Sequence, residues 1–240
     1  MNNSIQTIPL THLALMLLPV VLVVMILWKW AMDYRNALYA ISRMLVQLLI
    51  IGYFLSYIFE SDSALIIIMI LTVMVIASSW IALGTISVYR YKLFKKAFIS
   101  IAIGGGIIFL LVIIGVLDLD PWYYPRYTIP LAGMIFANAM NSVSLAAERL
   151  IAELKREVDF IEARNIAFNA SLIPIINSLF AVGLVSLPGM MTGQILSGVP
   201  PLIAARYQIM VMCMIFASAG VSTACFLILS RADFVKQEKI

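Results

Sequence analysis

The chain alternates long apolar runs with short polar or charged connections. Seven runs stand out, at residues 8–27, 37–59, 63–88, 97–117, 129–147, 166–187 and 202–229. Each holds about 20 residues or more, the length a helix rising ~1.5 Å per residue needs to cross ~30 Å of hydrocarbon. The pattern predicts an all-α, polytopic membrane protein with seven transmembrane helices. Composition agrees, with 63% hydrophobic and 12% charged residues and a mean hydropathy of +1.05. That balance excludes an ordinary soluble domain. The first run lacks a basic n-region and an evident cleavage site, so it reads as a span rather than a signal peptide.

The connections alternate in charge. Lys29 and Arg35 lie in 28–36, then Arg90, Lys92, Lys95 and Lys96 in 89–96. Arg149, Lys155, Arg156 and Arg164 lie in 147–165, and Arg231, Lys236 and Lys239 in the tail. The intervening connections carry Glu60 and Asp62, then Asp118 and Asp120 with one Arg126, then no charge across 188–201. Thirteen of the 16 Lys and Arg residues thus fall on one side, Arg43, Arg126 and Arg206 being the exceptions. The positive-inside rule puts the N-terminus outside and the C-terminus in the cytoplasm. An odd number of spans requires that arrangement. Trp122, Tyr123, Tyr124 and Tyr127 fit an aromatic belt on the outer side.

Polar residues inside the runs are the candidates for function. Arg43 and Gln47 are four apart and share a face of the second span. Arg43 either snorkels to the cytoplasmic surface or clamps a neighbouring helix, whereas Gln47 is too deep to reach water. Asn138 and Asn141 are three apart on the fifth span, where Gly133 and Ala137 permit close helix approach. They serve either as interhelical hydrogen bonds or as a polar lining. Pro174 is expected to kink the sixth span, with Asn177 as the facing partner one turn later. Residues 182–198, VGLVSLPGMMTGQILSG, combine glycines, a proline and a glutamine between two apolar runs. Irregular backbone at membrane depth is tolerated only where it is buried in protein or lines a cavity.

Other chemistry is sparse. Met190 and Met191 offer thioethers to a soft metal, but adjacent methionines also serve as apolar filler. His12 is the only histidine, which excludes an imidazole metal cluster within one chain. Cys213 and Cys225 lie twelve apart in one helical run, about 18 Å, too far for a disulfide. No G-x-x-x-x-G-K-[ST] phosphate loop occurs, so the chain binds no ATP by that device. Gly104, Gly105 and Gly106 fall inside the fourth span and read as a close-packing or flexible site. Leu150, Ile151, Leu154, Val158 and Ile161 recur at helical spacing among charges, predicting a cytoplasmic amphipathic helix at about 147–164.

Several strings together resemble the FetB-type permease family, which includes a bacterial iron-export ABC transporter subunit and plant aluminium-tolerance permeases. They are RMLVQLLIIGY (43–53), IPLAGMIFANAMNSVSLA (129–146), SLIPIINS (171–178), the 182–198 segment and AARYQIMV (204–211). The resemblance covers most of the chain and implies one transmembrane permease domain over 1–240. It implies a separate cytoplasmic ABC ATPase that binds ATP and Mg, a permease homodimer and a place in the bacterial inner membrane, with no nucleic-acid partner and no cofactor in this chain.

On that reading, Arg43, Gln47, Asn138, Asn141 and Asn177 are candidates for the translocation path. Pro188, Gly189, Met190, Met191 and Gln194 form a candidate outer gate. Glu153, Arg156, Glu162 and Arg164 are candidates for the ATPase-facing surface. Two departures stand out. Ala137 replaces a usual Gly, and the stretch after IEAR (161–164) is shorter than the family pattern. The second departure supports an alternative, an uncoupled scaffold or regulatory relative.

Overall fold

Hydrocarbon offers backbone N–H and C=O groups no partner, so apolar runs close their hydrogen bonds within helices. The computed structural model describes residues 9–60 and 63–235. Among these residues the chain forms helices and no β-strand. The expected first-span start at Ile8, the acidic Asp62 and the tail residues Lys236 and Lys239 lie outside them.

The chain divides into two compact units, Met1–Ser61 and Asp62–Ile240. The first contains α1 (Leu10–Leu15), α2 (Leu17–Lys29) and α3 (Tyr34–Phe59). Between α2 and α3, Ala31 turns through φ 55°, and Asp33 caps α3 by accepting from Asn36 N at 3.1 Å. No residue of α2 is buried.

The second unit contains α4 (Ala64–Ala82), α5 (Arg90–Leu110), α6 (Pro125–Leu154), α7 (Phe160–Ala181), α8 (Gly189–Leu196) and α9 (Pro201–Val235). Pro125 opens α6 at its first turn, where a missing N–H costs nothing. The carboxylate of Asp159 caps α7 by accepting from Ile161 N at 2.9 Å. At the far end of α5 the winding loosens into one π-helical stretch, Leu111–Val116. The 35-residue α9 is the spine of this unit, with α5, α6, α7 and α8 all packing on it.

Among the described residues, six helical stretches are long and apolar enough to cross a membrane: Thr11–Lys29, Tyr34–Phe59, Ala64–Ala82, Ser87–Val116, Pro125–Leu154 and Pro201–Phe234. The expected sixth span, 166–187, falls instead on α7, which begins and ends about six residues earlier. Glu162, Arg164, Asn165, Asn169 and Asn177 are spread along its 22 residues, leaving no apolar stretch long enough, and it is not among the six.

The amphipathic helix expected at 147–164 is not continuous. It is the end of α6, a turn in which Glu157 takes φ 61°, and the start of α7. Leu150, Ile151 and Phe160 are buried on either side of the turn. The apolar spacing therefore holds through Val158, and beyond the turn Phe160 rather than Ile161, which is exposed, faces the core.

The glycine triplet resolves into three different surfaces. A Cβ on Gly104 would sit 2.5 Å from Ser222 Oγ and 2.6 Å from Ser222 N on α9. One on Gly105 would lie 2.9 Å from the Phe136 ring on α6. One on Gly106 would meet nothing within 4 Å. Helices in lipid associate through packing and hydrogen bonds rather than hydrophobic drive, so small residues govern the closest contacts.

Gly104→Ala is therefore expected to destabilise the protein by about 1–3 kcal/mol or more, the scale of overpacking a tight core. Gly106→Ala should be neutral or stabilising by up to about 1 kcal/mol, the helix-propensity gain of Ala over Gly. Thermal unfolding of the detergent-solubilised variants checks this, and equal midpoints for the two would remove the close-approach argument.

Candidate functional site

The irregular 182–198 segment builds one wall of a cavity. α7 ends at Ala181, and Gly183 takes φ 83°, a conformation that favours glycine. Its N–H donates to Ser186 O at 2.9 Å, and Val185 N donates back to Ala181 O at 2.8 Å. This tight turn delivers Pro188, which starts α8 without a side-chain cap. At the other end of α8, Gly198 takes φ 90° and Val199 N reaches back to Gln194 O at 2.9 Å. The chain then enters α9.

Between α8 and the helices behind it lies a cavity of about 340 Å³. From α6 come Met134 and Asn138, and from α7 comes Ser178. The turn and α8 contribute Ser186, Pro188, Gly189 and Met190. From α9 come Gln208 and Met212. Valine and isoleucine side chains complete a lining with no charged residue.

The polar groups in this cavity are unusual in what they leave unused. Asn138 Nδ2 donates to Met134 O at 2.8 Å, and Ser178 Oγ donates to Pro174 O at 3.0 Å. Gln208 is 5% exposed, and its Oε1 has no hydrogen-bond partner. A buried amide oxygen without a donor forgoes about 1–3 kcal/mol. Such a group at a cavity wall is the strongest pointer to a ligand in the described residues. A larger groove of about 430 Å³ lies between α2 and α3, but apart from Tyr34 and Ser42 it is lined by Trp28 and aliphatic or Met side chains.

The expected path and gate residues separate on this geometry. Asn138, Pro188, Gly189 and Met190 line the cavity. Asn141 and Asn177 do not, and both are exposed on their helices. Ser178 takes the place expected of Asn177, since one residue further along α7 turns the side chain by about 100°. Met191 and Gln194 are half-buried on α8 outside the lining. Arg43 and Gln47 are exposed on α3, in the other unit. Gln208, within the 204–211 string, lines the cavity without any sequence signal of its own. A single glutamine two residues after Arg206 looks like the polar end of a helix. No group of three or more His, Cys, Asp or Glu residues forms a metal cluster among the described residues.

The residues expected to face an ATPase also divide. Arg156 and Glu162 are exposed, and Arg164 is half-buried, donating to Asn165 Oδ1 at 2.9 Å. Glu153 corrects the expectation, because it is only 4% exposed. Its Oε1 lies 2.7 Å from Arg149 Nη2 and 3.6 Å from Arg156 Nη1. Neither contact is aligned as a hydrogen bond, and the pair is held by charge and proximity. Glu153 thus ties the last turn of α6 together instead of presenting a surface.

The family profile described as "Uncharacterised protein family (UPF0014)" matches residues 10–235. The chain belongs to this family. It is 35% identical to the "Probable iron export permease protein FetB" of Escherichia coli K12, over 95% of this chain and 92% of that one. It is 35% identical to a UPF0014 membrane protein of Synechocystis, over 82% of each chain. It is 34% identical to "Protein ALUMINUM SENSITIVE 3" of Arabidopsis thaliana, over 78% of this chain and 72% of the plant protein. No solved structure matches it. With its six apolar helices, this UPF0014 chain is an integral, multi-pass membrane protein.

Removing the buried carboxylate tests the α6 assignment. Glu153→Ala should lower stability by about 1–3 kcal/mol, less than the ~3–5 kcal/mol of a fully buried pair, because both arginines reach solvent. A thermal midpoint unchanged from wild type would mean that Glu153 holds nothing in place.

Proposed function

We propose that this chain is the permease subunit of an ABC-type transporter that exports a metal ion, driven by a separate ATPase. The observation that carries the reading is the uncharged cavity beside α8, with the orphaned Gln208 amide at its wall. The printed name of the Escherichia coli relative, a probable iron export permease, supports the transport class. On this reading α7 crosses the bilayer as a seventh span. Its 22 residues reach about 33 Å at ~1.5 Å each. Its exposed Asn165, Asn169 and Asn177 are on this reading covered by the second copy of the permease.

Seven spans would put the termini on opposite sides, and the distribution of Lys and Arg supports an outer N-terminus and a cytoplasmic C-terminus. The cavity and the Pro-Gly turn then lie toward the outer side, where Pro188–Met190 form a gate. The α6–α7 turn, with exposed Arg156 and Glu162, faces the cytoplasmic ATPase. Two copies complete the working unit, in the bacterial inner membrane. ATP and Mg act on the partner ATPase, which drives export by binding two packings of the permease unequally.

A second reading, an uncoupled scaffold, is favoured by one observation. After Arg164 the chain runs on as unbroken α7, leaving no extra helix for coupling. Reconstitution separates the two. The transporter reading expects an ATPase to co-purify and ATP to stimulate metal movement in proteoliposomes. It also expects Gln208→Leu or Asn138→Leu to abolish that stimulation without loss of folding. If no ATPase associates and ATP changes nothing, the scaffold reading replaces it.

A further inference from the structure

We infer that the cavity beside α8 is a binding site for a soft monovalent cation of the Cu(I) type. This rests on the permease reading and names the ion class that its site accepts. The carrying observation is a pairing repeated on two facing helices. α6 presents Met134 and Asn138, and α9 presents Gln208 and Met212, each a thioether and an amide four residues apart. Residues at that spacing share a helix face. Met190 at the start of α8 supplies a third thioether to the same space.

The donor set decides the chemistry. Asn138 and Ser178 each spend a donor hydrogen on a backbone carbonyl of their own helix, leaving oxygen lone pairs for the cavity. Gln208 Oε1 is buried and unpartnered. The site therefore offers neutral oxygen and sulfur acceptors beside the remaining amide N–H groups of Asn138 and Gln208, and three thioethers lining one space are what a soft cation can use. A hard polyvalent ion fits less well than a soft monovalent one, since no carboxylate, imidazole or thiolate lines the cavity and its larger charge would be buried uncompensated. Thioether ligands select Cu(I) among biological metals.

Ag(I) is the probe, because it matches Cu(I) in softness and does not cycle between oxidation states. Cys213 and Cys225 are free thiols that bind Ag(I) independently, so the titration uses the Cys213→Ser/Cys225→Ser protein. We expect one tight Ag(I) site per chain, read by competition with a soluble thioether chelator. Met134→Leu/Met190→Leu/Met212→Leu keeps side-chain size and should weaken it by about 100-fold, the upper scale for changes near a metal. Gln208→Leu should weaken it by about tenfold. Circular dichroism and the thermal midpoint confirm that each variant is folded.

Absence of a tight site, or a site that survives the triple Met→Leu change in folded protein, overturns the inference. So does Fe(II) binding that equals Ag(I) binding. Should ATP-driven metal transport persist while Ag(I) fails to bind, the permease reading stands and only the ion class falls.

Discussion

The approach of α5 to α9 at Gly104 and Ser222 governs how the second unit is assembled. The gap there has no room for a methyl group, and the obstacle is backbone as well as side chain. Gly105, one residue on, turns the next face of α5 against Phe136 of α6. Two adjacent glycines thus let one helix contact two others at close range. In lipid this contact replaces the solvent-driven force that assembles soluble bundles, because lipid tails are as apolar as the side chains. Lys96 and Asp233 form an ion pair between the same two helices, near the start of α5 and the end of α9.

With α9 held against α5 and α6, its opposite face is left to meet α7 and α8. Ser218 on α9 lies 3.5 Å from Ile135 O on α6, so the two helices stay close through the middle of their lengths. They then enclose space near the start of α9, where Gln208 and Met212 face the α6 side chains Met134 and Asn138. The irregular segment closes that space because α7 stops at Ala181 and the chain must return to begin α9. A straight helix through 182–198 would have left no turn to close the cavity. The glycines and prolines of this segment are therefore construction elements of the site, and the tight turn at Gly183 is the means by which α8 arrives there.

Much of this was legible in the residues. Helix positions followed from run length and from the need to satisfy backbone groups internally. The polar membership of the 182–198 segment marked it as special, and Asn138 and Pro188–Met190 do meet in one cavity. The misses share a cause, which is helix rotation. Asn138 and Asn141 lie about 60° apart on α6, enough to put one in the cavity and the other on the outside. Ser178 and Asn177 exchange places for the same reason. Gln208 was hidden because its importance depends on which helix stands opposite. Glu153 reads as a surface charge until the break after Leu154 is known.

By itself, then, the sequence determined the all-helical character, the membrane environment and the charge asymmetry of the connections. Each follows from local composition, because transfer into hydrocarbon acts on every residue wherever its neighbours lie. Tertiary structure alone decided which side chains share a cavity, which glycines touch a neighbouring backbone and where an apparently continuous amphipathic stretch breaks. Those outcomes depend on the rotation and separation of packed helices. Close approaches between residues far apart in the chain, such as Gly104 and Ser222, set both, and no local pattern encodes them.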